Sequence, residues 1–112
     1  MTPLAEVVKS LVGLLVAGEW PQLGRLVSGS RLSIDDIRAV VADYGRTLTM
    51  PPHEVFDQLD VVDIVATSQR TVSVRVPLWT QEEGRSDLEL VLTITEVADG
   101  LWQAHVDDLL VP

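Results

Sequence analysis

Two runs of strictly alternating apolar residues constrain this chain more than anything else in it. Val72, Val74, Val76 and Leu78 share one face of the first run. Leu88, Leu90, Leu92 and Ile94 share one face of the second. Period-two alternation of this length specifies two half-buried antiparallel strands, because successive side chains of a strand point to opposite faces. The connection between them, Trp79 to Asp87, carries Trp79, Glu82, Glu83, Arg85 and Asp87. That is a heavy load of aromatic and charged groups for a plain turn.

The preceding half of the chain has helical periodicity instead. Thr2-Pro3 is a helix start, with Thr as cap and Pro where its missing N–H costs nothing. Leu4, Val7, Val8, Leu11, Val12, Leu14 and Leu15 follow at helical spacing, and Gly18 is the stop. Leu23, Leu26 and Val27 predict a short second helix ending at Ser28-Gly29-Ser30. Ser33, with Asp36 three residues on, starts a third helix in capping-box fashion. Ile34, Ile37, Val40, Val41 and Tyr44 line its inner face, and Gly45 closes it. Pro51-Pro52 predicts an extended turn rather than regular structure, with Phe56 and Leu59 pinned to the core. Val61 to Thr67 reads as a strand with its turn at Ser68-Gln69-Arg70. The two strong strands are placed at Thr71 to Thr80 and Asp87 to Val97. Pro77 cannot donate to a ladder, so it belongs at a bulge or beside no neighbour. Asp99-Gly100 signals a hairpin into a last strand, Leu101 to Val106. Leu109, Leu110 and Val111 then finish against the core.

Helices first and hairpin-linked strands afterwards specify an α+β fold: three N-terminal helices on a curved antiparallel sheet of about four strands. At 112 residues, this is one domain over residues 1–112. The 46% of apolar residues argues against disorder, and with no cysteine there is neither a disulfide framework nor a thiolate metal site. Leu4 to Ala17 is interrupted by Glu6 and Lys9, lacks a basic leader, and is too short for a bilayer span. A cytoplasmic location is therefore expected. The formal charge of −9, from 17 acidic and 8 basic residues, repels phosphate backbones. It excludes nucleic acid as the expected partner and favours a basic protein surface.

Two resemblances add to this. The order of helices followed by an antiparallel meander resembles the SnoaL-like or cystatin-like superfamily, which wraps a bent sheet around a long N-terminal helix to form a cone. Leu78-Trp79-Thr80-Gln81-Glu82-Glu83-Gly84-Arg85-Ser86-Asp87-Leu88 resembles the signature of a small bacterial domain family of unknown function. The Ser33 step and the Pro51-Pro52 stretch resemble that family too. It implies no activity. The cone-shaped superfamily implies a homodimer and, in its enzymes, a cavity with an Asp–His or Tyr–Asp pair.

The chemistry-bearing residues then divide into three groups. Trp79, Glu82, Glu83, Arg85 and Asp87 are the partner-binding candidates; their plain alternative is a local ion pair of Arg85 with Glu83 or Asp87 that fixes the hairpin. Tyr44 and His105 are the catalytic candidates of a small lyase or isomerase with a cavity site, with Asp43, His53, Asp63 and Asp107 also available. Val61, Val91 and Leu101, out of phase with the main apolar faces, are expected to form an outer patch for a twin subunit. No glycine-rich phosphate loop, zinc-protease pattern or nucleophile elbow occurs, and no cofactor or metal is expected. The expectation is a non-enzymatic interaction protein, homodimeric, with an immunity protein against a basic toxin as one form.

Overall fold

The computed structural model describes residues 4–27, 29–65 and 68–112. Thr2-Pro3, Ser28 and Thr67 lie outside them. The elements run α1 (Leu4–Ala17), α2 (Trp20–Leu26), α3 (Ile34–Tyr44), β1 (Leu48–Thr49), α4 (His53–Asp57), β2 (Asp60–Ile64), β3 (Thr71–Thr80), β4 (Gly84–Ala98) and β5 (Leu101–Leu110). The fold is α+β, with the helices on one face of an antiparallel sheet.

The two alternating runs form β3 and β4, paired with Val74 opposite Leu92 and Val76 opposite Leu90. Their apolar faces, from Val72 to Leu78 and from Leu88 to Ile94, are at most 2% exposed. Each such side chain contributes about 1.5–3 kcal/mol by leaving water. Ala104, Val106 and Leu109 of β5 extend the same face. Val8, Leu11, Val12 and Leu15 of α1, Leu23 of α2, Ile37 of α3 and Phe56 of α4 complete the core from the helical side. No helix among the described residues is long and apolar enough to cross a membrane.

Capping at α3 matches the sequence. Ser33 Oγ accepts the Asp36 N–H at 3.1 Å, and Asp36 Oδ2 accepts the Ser33 N–H at 3.2 Å. An Asp thus serves where Glu or Gln is usual. Gly45 ends the helix at φ 71°, a left-handed conformation that side chains disfavour.

Three expectations need correction. The stretch after Pro51-Pro52 is not irregular: Pro52 is the cap of α4, which turns the Phe56 ring into the core. A proline just before a helix removes no needed hydrogen bond, because the first N–H groups of a helix have no internal partner. The last strand continues to Leu110 through a register shift after Val91, and Val111 is exposed rather than packed. Val61, Val91 and Leu101 do not form one patch. Val61 pairs with the buried Val74 on the helical side of β2, Val91 pairs with Asp108 in mid-sheet, and Leu101 lies at the β4–β5 turn.

The strand order is β1-β3-β4-β5, with β2 also on β3. β2 and β1 share one edge of β3, β2 along Thr71–Arg75 and β1 along Trp79–Thr80. At the opposite edge, the α2–α3 connection straps β5. Ser30 Oγ accepts the Val106 N–H at 2.8 Å, and the Leu32 N–H donates to the Val106 carbonyl at 3.3 Å. Gly29 in this strap has φ 80°, and a Cβ there would meet His105 Cε1 at 3.4 Å. The contact is an ordinary one, so it is the left-handed turn of the strap that calls for glycine.

Candidate functional site: the β3–β4 hairpin and the open face of the sheet

The segment expected as a nine-residue loop is mostly strand. Trp79 and Thr80 end β3, Gly84 to Asp87 begin β4, and only Gln81–Glu83 turn. Thr80 and Gly84 are cross-strand partners, as are Trp79 and Arg85.

The carboxylates of the turn are exposed, yet both are bonded to other segments of the chain. Glu82 accepts the Thr47 N–H at 2.8 Å and the Thr47 hydroxyl at 2.9 Å. The Gln81 N–H in turn donates to the Thr47 carbonyl at 2.9 Å. The Thr47 backbone N–H, which favours the ionised form, lowers the Glu82 pKa below its ordinary value, helped by Glu82's own N–H, the Thr47 hydroxyl and the charge of Arg46. Glu83 accepts the Tyr44 hydroxyl, at 2.9 Å from Oε1 and 3.1 Å from Oε2, and the Thr80 hydroxyl at 3.0 Å. The same Tyr44 oxygen accepts the Asp87 N–H at 3.1 Å. The turn is thereby tied to the end of α3 and the start of β1. The local ion pair expected for Arg85 is absent: Glu83 is occupied by Tyr44 and Thr80, and Arg85 makes no ion pair among the described residues.

A register shift between Pro77 and Trp79 is the second local feature. Pro77 pairs with Glu89 and Trp79 with Arg85, so β4 carries two extra residues opposite Leu78. Ser86 replaces the lost ladder bonds. Its buried hydroxyl donates to the Leu78 carbonyl at 2.9 Å and accepts the Leu88 N–H at 3.1 Å. A proline mid-strand is thus accommodated where the ladder is already interrupted. On the other edge of β3 the residue also falls in the gap between the β2 and β1 pairings.

Sequence reasoning passed over Thr47, Thr80 and Ser86. A signal existed for two of them. Thr80 continues the Val72–Leu78 face and Ser86 precedes Leu88 in phase, so each puts a hydroxyl where the alternation calls for an apolar residue. A buried hydroxyl at such a place needs a partner.

The face of β3 and β4 turned away from the helices carries Arg75, Pro77 and Trp79 beside Arg85, Glu89 and Val91. Arg75 and Glu89 form an ion pair at 2.7 Å. Its hydrogen bond to Glu89 raises the Arg75 pKa, with the charges of Glu89 and Asp60 adding to it. Arg38 and Arg70 stand over the Trp20 and Trp102 rings, at 5.7 and 5.5 Å. Arg85 stands over no ring among the described residues. It lies between two hollows, one of about 220 Å³ shared with Trp79 and Arg75, the other of about 450 Å³ running past Asp87 toward Val111.

The catalytic candidates are not brought together. Tyr44 packs on the core side of the sheet and is consumed by the Glu83 and Asp87 bonds. His105 pairs with Thr93 on the other face. Its Nδ1 is buried without a hydrogen-bond partner among the described residues. Asp107, beside it, accepts the Thr93 hydroxyl, while His53 lies 3.8 Å from Asp57 on α4. Among the described residues no group of three or more His, Asp or Glu side chains is placed to hold a metal ion.

No curated protein and no solved structure matches the chain. One family model does, over residues 12–112, which takes in β1 to β5, all of α2 to α4 and the last turns of α1. The chain therefore belongs to the DUF7668 family, a domain of unknown function.

Proposed function

We propose that this chain is a non-catalytic binding protein that engages a protein partner on the open face of its sheet, around Trp79 and Arg85, and that it works as a homodimer. The observation that carries the reading is the placement of Arg85. Its guanidinium has no ion pair among the described residues, in a chain with 17 acidic side chains, and it stands cross-strand from a half-buried Trp. Trp and Arg are the residue types that most often dominate binding energy, because they combine large apolar area with directed polar contact. Glu82 and Glu83 serve this surface indirectly by holding the hairpin rigid. The charge of −9 supports a partner with a basic surface, as an immunity protein against a basic toxin would have.

The SnoaL-like resemblance supports the dimeric part. A lyase or isomerase of that type is less well supported, since Tyr44 and His105 lie on opposite faces of the sheet.

The test uses the purified chain to retain a partner from extracts of its own cells, followed by affinity measurement with that partner alone. Trp79→Ala and Arg85→Ala are each expected to weaken binding at least about tenfold, as hot-spot truncations do, and the exposed Arg85→Ala to do so without changing the thermal midpoint. Unchanged affinity in both variants would overturn the assignment of this surface.

A further inference from the structure

β2 is the least protected part of the sheet. All five of its residues are exposed, although three of them are Val61, Val62 and Ile64. Val62 is 58% exposed, and Val65 just beyond is 93% exposed. The strand pairs with β3 residue for residue, without a bulge, and contains no proline and no lysine. Its other edge pairs with nothing among the described residues. An edge of this kind is a template for another strand, and folded proteins normally blunt or cover it.

The charges select the strand that fits. Val62 shares a face with Asp60 and Ile64, and Val61 shares the other face with Asp63. A second copy related by a twofold axis perpendicular to the sheet keeps faces matched only when paired residue numbers differ by an even step. Pairing centred on Asp63 would set two carboxylates directly opposite each other, which is unfavourable. Pairing centred on Val61 leaves Ile64 without an opposite residue in the partner strand. Pairing centred on Val62 sets Val62 against its own copy, Asp60 against Ile64 and Val61 against Asp63, so no carboxylate faces a carboxylate and every β2 residue has a partner.

We infer that β2 is the dimer interface of this protein, pairing antiparallel with β2 of a second copy in the register centred on Val62, so that two sheets join into one. This rests on the dimeric part of the function proposed above and leaves the Trp79–Arg85 surface free. In this register the two Asp63 side chains are diagonal neighbours on one face, roughly 7–8 Å apart. The dimer is therefore held against a repulsion that salt or neutralisation relieves.

The experiment is sedimentation equilibrium on the full chain, combined with single-cysteine cross-linking, which is clean because the native chain has no cysteine. The native chain is expected to dimerise. Val62→Lys is expected to raise the dimer Kd at least about tenfold with the circular dichroism spectrum unchanged, and Asp63→Asn to lower it several-fold. Under mild oxidation Val62→Cys is expected to form a covalent dimer faster than Val61→Cys or Asp63→Cys, because only position 62 faces itself within disulfide reach. A monomeric native chain at about 100 µM, well above a Kd of about 10 µM, would overturn both the interface and the dimer. A dimer that survives Val62→Lys, or cross-links no faster at position 62, would overturn the interface alone. Neither result touches the partner-binding reading, which is measured by Arg85→Ala.

Discussion

Ser86→Ala isolates the part of the hairpin that accommodates Pro77. The hydroxyl is buried and joins two backbone groups, the Leu78 carbonyl and the Leu88 N–H, at a point where β3 and β4 are out of step. Alanine removes both bonds and puts a methyl group in their place. A buried backbone group left unsatisfied costs about 1–3 kcal/mol, and the variant is relieved of burying a hydroxyl, which offsets part of the sum for two groups. A net loss of about 2–3 kcal/mol follows. With an unfolding entropy of about 2.1 cal/mol/K per residue, one kcal/mol shifts a chain of this size by about 4 °C, so the thermal midpoint should fall by about 8–12 °C. Calorimetry measures that shift, and amide hydrogen exchange locates it. The Leu88 N–H should lose protection, whereas the Leu92 and Ile94 amides in the regular ladder should keep theirs relative to the new global stability. A fall of less than about 2 °C, or a Leu88 amide as protected as before, would refute the assignment of Ser86 as the bridge across the bulge, because the estimate leaves no room for so small an effect.

Two further substitutions test the tie between the turn and α3. Tyr44→Phe removes a hydroxyl that meets both Glu83 and the Asp87 N–H, and should cost about 1 kcal/mol given its partly exposed setting; urea titration reads it. Combined with Glu83→Ala the losses should be sub-additive in a double-mutant cycle, since both changes delete one contact; strict additivity would mean that the two side chains act separately. Glu82 gives a pH signature. Its folded-state pKa is depressed by the Thr47 N–H, so its contribution is present above the ordinary value of 4.5 and is lost as pH falls through the lower folded value. Glu82→Gln should therefore remove part of the decline in stability below about pH 4.5, as seen by thermal melts at pH 7 and pH 3.5; equal pH dependence in both proteins would contradict it.

The long strands of the sheet were legible because each is specified by its own side chains, whereas β1, two residues held by β3, was not. Alternation marked β3 and β4, and Asp99-Gly100 marked the turn into β5. Ser33, Asp36 and Gly45 marked the ends of α3 for the same local reason. α4 was not legible, because five residues with one buried Phe show no period. The roles of Glu82 and Glu83 were hidden for a different reason. Their partners Thr47 and Tyr44 lie 35 and 39 positions away, and nothing in the turn reveals which distant hydroxyl will arrive beside it. A local ion pair with Arg85 was the natural expectation from composition; tertiary contacts claimed the carboxylate first and left the guanidinium outward. Val61, Val91 and Leu101 misled because being out of phase places a side chain off the main face without saying which strand becomes an edge.

The strap of Ser30 and Leu32 over Val106 bears on how far assembly can proceed. A sheet with two free edges, each able to take a neighbour, grows without limit in both directions and ends as a fibre. Here one margin is interrupted at its middle by the chain's own backbone, which occupies the N–H and carbonyl of Val106. Among the described residues the β2 margin, by contrast, is open along the whole strand. Twofold pairing consumes that margin in both copies at once, so association by this route is self-terminating. The left-handed glycine that turns the strap onto β5 would thus help to decide between a finite particle and a polymer.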